Sequence, residues 1–134
     1  MKKSGFTMIE LVFVIVVLGI LAAVAVPKLA ATRDDAAIAK GRSDVASIRA
    51  GIITERQARL FRGDNTFIPA AGMDAGGSFG GVMSYPITDS RWAVTTAGTT
   101  YTYTVNGSTA TFTYTPGTGN FSCATSTLCS KLTY

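Results

Sequence analysis

At 134 residues the chain has room for one small domain and an appendage, not for two domains. Twelve Lys and Arg against eight Asp and Glu give a net charge of +4, and two of the basic residues, Lys2 and Lys3, precede a long apolar run. The ten positive and eight negative side chains that remain are too evenly balanced to point to a nucleic-acid binder. The absence of histidine removes the commonest acid–base catalyst.

The first 28 residues read MKKSGFTMIELVFVIVVLGILAAVAVPK. A basic start before an apolar stretch has the outline of a secretory signal peptide. Two details separate it from the ordinary kind. The small residue that a peptidase needs, Gly5, lies before the apolar run rather than after it. A carboxylate, Glu10, sits in the first turns of the apolar segment. Residues 6–26 form a stretch of about 31 Å as a helix at ~1.5 Å per residue, enough to cross a bilayer core. Lys2 and Lys3 would stay on the cytoplasmic side and the rest of the chain would be exported. An ionisable group in such a helix is a functional-site candidate. If the chain is cut after Gly5, a new α-amino group appears at Phe6, with Glu10 one helical turn away. The carboxylate would then bond its own N-terminus in a lone subunit, or that of a neighbour in a stack, fixing axial register.

This segment resembles the class III signal of type IV pilins and type II secretion pseudopilins: a short basic leader, Gly5, Phe6, Thr7, Glu10 and a long apolar helix. The match is close over about the first 30 residues. The resemblance implies cleavage between Gly5 and Phe6 by a prepilin peptidase and N-methylation of Phe6. It implies that Glu10 guides subunit docking and that Pro27 is the helix-kinking proline, which would bend or locally melt the helix. The implied fold is α+β: a long N-terminal helix, its first half transmembrane and filament core, with a small antiparallel sheet packed on its C-terminal half. The corresponding segments are a leader over 1–5, a transmembrane and polymerisation helix over 6–27, an amphipathic half-helix over 28–62, a variable loop over 63–90, and a sheet with a disulfide tail over 91–134.

The residues themselves fill in this outline. Val45, Ile48 and Ile52 recur at helical spacing, with Gly41 and Gly51 as weak points, and Gly63-Asp64-Asn65 ends the helix. Arg42, Arg49 and Arg56 recur every seven residues. The plainer reading is a solvated flank balanced by Asp44 and Glu55; the sharper one is a basic track on a filament surface, and salt bridges between subunits stay open as a third. Residues 62–90 read as coil tacked down by Phe67, Ile68, Phe79 and Val82. From Arg91 the period becomes two. Asn106-Gly107 is a type I′ hairpin signal, which sets Tyr103 opposite Ala110 and Tyr101 opposite Phe112, with a threonine ladder on the other face. The aromatic face should cover the helix in a three- or four-stranded sheet. Cys123 and Cys129, six apart, read as a small disulfide loop of an oxidising compartment, with two free thiols as the alternative.

No enzyme is expected. Asp34 and Asp35 adjoin on a helix and point apart, and no Ser or Cys has a base beside it. No cofactor or metal is expected either: two thiolates do not complete a zinc shell. The calcium site of major pseudopilins uses acidic loop residues near the C-terminus, and this chain has no Asp or Glu after Asp89. The leading expectation is a subunit of a secretion-type or competence-type pseudopilus, held in the bacterial inner membrane by a single span with its body in the periplasm. Its implied partners are further copies in a helical filament, the prepilin peptidase, an inner-membrane assembly platform and an ATPase motor. The alternatives are the major subunit of a true type IV pilus, or a minor tip subunit that binds DNA or a secreted substrate. Nucleic-acid binding gets no support from the residues.

Overall fold

The computed structural model describes residues 5–124 and 126–133; Lys2, Lys3 and the rest of the leader before Gly5 lie outside the described residues. The elements run α1 (Met8–Phe61), α2 (Ala70–Met73), β1 (Trp92–Thr96), β2 (Thr100–Val105), β3 (Ser108–Thr115), β4 (Asn120–Cys123) and α3 (Thr127–Leu132). The chain divides into two units, Met1–Asp35 and Ala36–Tyr134.

In the first unit every described residue before Asp34 is exposed, including the uncharged stretch from Leu11 to Val26. An exposed apolar helix of this length has nothing in water to bury against. It is the one helix among the described residues long and apolar enough to cross a membrane. The helix does not melt at Pro27: α1 is assigned continuously through it. A proline removes a single N–H from the ladder, and the neighbouring bonds carry the helix past it.

The second unit is an α+β body. One stripe of α1, Ala37, Gly41, Val45, Ile48 and Ile52, is buried, at the spacing that puts residues on one helical face. Gly41 and Gly51 are close-approach positions rather than weak points. A Cβ on Gly41 would sit 2.5 Å from Tyr103 Cε1 and 2.8 Å from Leu132 Cδ2, and one on Gly51 would collide with the Val82 carbonyl. The helix ends in a Schellman motif. Gly63 N–H donates to Leu60 O at 3.0 Å and Asp64 N–H to Arg59 O at 2.9 Å, with Gly63 at φ 84°, a conformation that favours glycine.

The sheet is an antiparallel meander in the order β1-β2-β3-β4. The hairpin has the expected register, with Tyr103 opposite Ala110, Tyr101 opposite Phe112 and three Thr–Thr pairs. Asn106 and Gly107 both have positive φ, as a type I′ turn requires. Tyr101, Tyr103, Phe112, Tyr114 and Phe121 face inward and are buried with the α1 stripe, Met73 and Phe79. Each buried tyrosine hydroxyl has a partner: Asp74 for Tyr101, Ala37 O for Tyr103 at 2.7 Å, and Ile68 O for Tyr114 at 2.8 Å. Burial pushes the hydroxyls of Tyr103 and Tyr114 above the usual tyrosine range. Tyr101 is raised furthest, by burial first and then by the Asp74 carboxylate.

Two features escaped the sequence reading. Residues 63–90 are not plain coil: they contain the single-turn α2 and a carboxylate hub. Asp74 accepts from Phe79 N at 3.0 Å, Gly98 N at 2.7 Å and the Tyr101 hydroxyl at 3.0 Å. The tail is likewise ordered. Cys123 at the end of β4 is disulfide-bonded to Cys129 in α3, whose N-cap Ser126 accepts from Cys129 N at 3.1 Å. Leu128 and Leu132 of α3 are buried in the core.

All three arginines bond to or stack on the body, and Arg42 and Arg49 stay exposed to solvent while doing so. Arg42 donates twice to Lys131 O, at 3.1 and 2.9 Å, holding the last turn of α3. Arg49 donates to Phe121 O at 3.2 Å and so occupies an outward carbonyl of β4. The Arg56 guanidinium lies 3.9 Å from the centre of the Phe67 ring. A seven-residue repeat returns nearly to the same helical face, and here that face borders the body.

Candidate functional site

The residues singled out for processing and assembly lie at the head of α1. Gly5 and Phe6 precede the helix and are exposed, Phe6 to 88%. A Cβ on Gly5 would meet nothing within 4 Å, so the chain's own packing does not demand glycine there.

Thr7 and Glu10 form a reciprocal pair. Thr7 N–H donates to Glu10 Oε2 at 2.8 Å, and the Thr7 hydroxyl donates to the same oxygen at 2.7 Å. In return, Glu10 N–H donates to Thr7 Oγ1 at 3.3 Å. Leu11 N–H donates to Thr7 O at 3.2 Å, the first bond of the helix. This is a capping box, with Thr7 at the N-cap and Glu10 three residues on. It satisfies two of the amide donors that a helix start leaves without partners. In an apolar setting those donors are costly to leave bare, so the carboxylate serves the helix that carries it. In the uncut chain the carboxylate's partner is Thr7; the bond expected to an α-amino group at Phe6 belongs to the cleaved chain. The sequence carries the signal openly, since Thr7-Met8-Ile9-Glu10 has the S/T-x-x-E form ahead of an apolar run.

Pro27 lies 17 positions beyond Glu10 within the same exposed stretch. The remaining pair singled out, Cys123 and Cys129, belongs to the second unit and closes the tail. Among the described residues no cluster of three or more His, Cys, Asp or Glu gathers as a metal site.

Residues 1–26 match the family model described as the prokaryotic N-terminal methylation motif. Over 51 residues the chain is 41% identical to the type II secretion system core protein G of Pseudomonas aeruginosa, a match that covers 38% of this chain and 36% of that protein. The chain's N-terminal part is thus similar to that of type II secretion pseudopilins. A second relative, the type II secretion system core protein G of Aeromonas hydrophila, is 36% identical over 76 residues, covering 55% of this chain and 49% of that protein. This pilin-like chain therefore spans between about a third and a half of the length of the curated relatives it matches. No solved structure gives a significant match. Both relatives are core proteins of a type II secretion system. The exposed apolar helix of this chain fits a membrane-anchored protein.

Proposed function

We propose that the chain is the precursor of a pseudopilus subunit of the type II secretion kind, stored in the inner membrane by a single span with its body in the periplasm. A prepilin peptidase cuts between Gly5 and Phe6 and methylates the new N-terminus. The mature subunit then polymerises through α1, drawn from the membrane by an assembly platform and an ATPase motor. The observation that carries this reading is the N-terminal methylation motif, with the Thr7–Glu10 box at the head of an exposed apolar helix. In the stored subunit the carboxylate caps its own helix. In the filament it neutralises the methylated amine of a neighbour, which selects one axial register among many that an apolar helix would accept. Pro27 marks the position at which the helix gives way when copies pack.

The bridged tail and the lack of acidic residues after Asp89 favour, as a second reading, the subunit of a true type IV pilus. Both readings share the same processing. The test is the intact mass of the chain recovered from its native membrane. The expected mass is that of residues 6–134 plus one methyl group and minus two hydrogens for the disulfide. A mass equal to the full sequence, in cells with an active prepilin peptidase, would overturn the processing and the polymerisation that depends on it.

A further inference from the structure

The uncharged run at the start of α1 is closed at each end by a charge, Glu10 on one side and Lys28 on the other. The helix is continuous past both, and its described residues up to Arg33 are exposed. Residues 11–27 lie between the two charges, about 25 Å of helix at ~1.5 Å per residue. Counting from Phe6 gives about 31 Å, but only by taking Glu10 into the hydrocarbon. A bilayer core is about 30 Å thick, so the run between the charges is short of it by about 5 Å.

Two further features draw in the limit at the Lys28 end. The side chains of an α-helix lean toward its N-terminus. At the head of the run that direction carries the Glu10 carboxylate outward, to the Thr7 N–H and hydroxyl. At the other end it turns the Lys28 side chain back toward the run, against the reach to the headgroups that a long basic side chain needs. The second feature is Pro27, which has no N–H to offer the Ala23 carbonyl four residues before it. A carbonyl without its ladder bond is costly in hydrocarbon. The Lys28 carbonyl, by contrast, accepts an additional bond from the Thr32 hydroxyl at 3.1 Å.

We propose that the span is held in a bilayer drawn thinner than its resting core, and that Lys28 sets the outer limit. A short span pulls the two leaflets toward it, and the deformation lasts for as long as the subunit is stored. It is relieved when the helix leaves lipid for a filament, so the mismatch favours release. One residue decides the length. Leu29 to Thr32 are uncharged, and without the Lys28 charge the run would extend over residues 11–32, about 33 Å and a full core. This inference rests on the single-span storage reading and adds bilayer thickness as a variable that governs release.

The test adds the full chain, in dilute detergent, to a mixture of two phosphatidylcholine vesicle populations with cores of about 25 Å and about 35 Å. One population is loaded with sucrose so that the two separate by density, and the loading is then exchanged. The unmodified chain should favour the thin core by about 3-fold or more, and Lys28→Arg should keep that preference. Lys28→Leu, which exchanges one good helix former for another, should favour the thick core. No preference, or preference for the thick core, in the unmodified chain would overturn the proposal and leave the single-span reading standing. A chain that enters neither population would sink both. In cells with an active prepilin peptidase, Lys28→Leu should still be cleaved but should give several-fold fewer filaments than the unmodified chain. Equal filament yields would overturn the link between the short span and release.

Discussion

The two stretches of α1 are one helix solving two different problems. From Met8 to Arg33 the stretch is exposed on every side, and it is uncharged between Leu11 and Val26. From Ala36 to Phe61 it buries a single stripe beneath a sheet. The apolar run from Leu11 to Val26 is exposed throughout among the described residues, so its burial must come from lipid or from other copies. The second stretch obtains its burial at home, from Tyr101, Tyr103, Phe112 and Phe121. The lesson is that polar features mean different things in the two stretches. Glu10 in the first satisfies the helix's own amide donors and leaves the body untouched. Arg42 and Arg49 in the second tie α1 to carbonyls of α3 and β4.

The sharpest way to break this comparison is a pair of substitutions, one in each stretch. Glu10→Leu removes the capping box and the register-setting charge. It should leave membrane insertion and the unfolding transition of the body unchanged while filaments are lost. Gly41→Leu should do the reverse. Its side chain would collide with Tyr103 and Leu132, a misfit of about 3 kcal/mol or more in a packed core. Insertion should persist and the body should unfold at lower denaturant concentration, or not fold at all. Loss of body stability in Glu10→Leu, or a native-like transition in Gly41→Leu, would show that the two stretches are not independent.

A smaller effect is expected at Asp74, which ties the 63–90 segment to the sheet. Asp74→Ala would strip the acceptor from Phe79 N, Gly98 N and the Tyr101 hydroxyl at once. Leaving such donors unpaired in a packed setting costs about 2–4 kcal/mol in sum. Phe79 is held at φ 61°, uncommon for a bulky residue, and Gly98 at φ 71° abuts the Ala70 carbonyl. Loss of the hub should therefore also speed amide exchange around residues 74–83. Exchange unchanged in the variant would mean that the segment is ordered by its apolar anchors alone.

The helix, the hairpin and its register were legible because each is written in local terms: an uninterrupted apolar run, a 3.6 period, and an Asn-Gly between alternating strands. The threonine ladder opposite the aromatic face followed from the pleat alone. Less legible were features whose partners are far apart in sequence. Asp74 stands in a Gly-rich stretch with no period, and its donors come from 5, 24 and 27 residues downstream. The arginine repeat was visible, but which side of the helix met the body was not settled by spacing near the edge of the stripe. Gly41 looked like a flaw because helix propensity penalises glycine, whereas packing selected it. The capping box is the opposite case: it is local, its pattern is in the sequence, and the family's use of the carboxylate in assembly drew attention away from its use at home.

The smallest effect, and the one that most sharpens the contrast, is the response to acid. Burial raises the Asp89 carboxyl, but the Arg91 backbone N–H and the ion pairs with Lys40 at 3.2 Å and Arg91 at 3.0 Å outweigh it. The carboxyl is therefore held below its ordinary value. Asp64 is also held low, first by the Thr66 backbone N–H. A carboxylate whose folded pKa is depressed contributes stability that is present above its unfolded value, near 3.9, and lost as the pH falls through the folded one. The body should thus lose stability progressively below about pH 4, and Asp89→Asn should flatten that part of the curve. The stretch from Leu11 to Val26 has no titratable group, so its helicity in detergent should not change over the same range. A body transition independent of pH between 4 and 2 would remove Asp89 from the network that ties α1 to the start of β1, where Asp44 accepts from both Lys40 and the Trp92 indole.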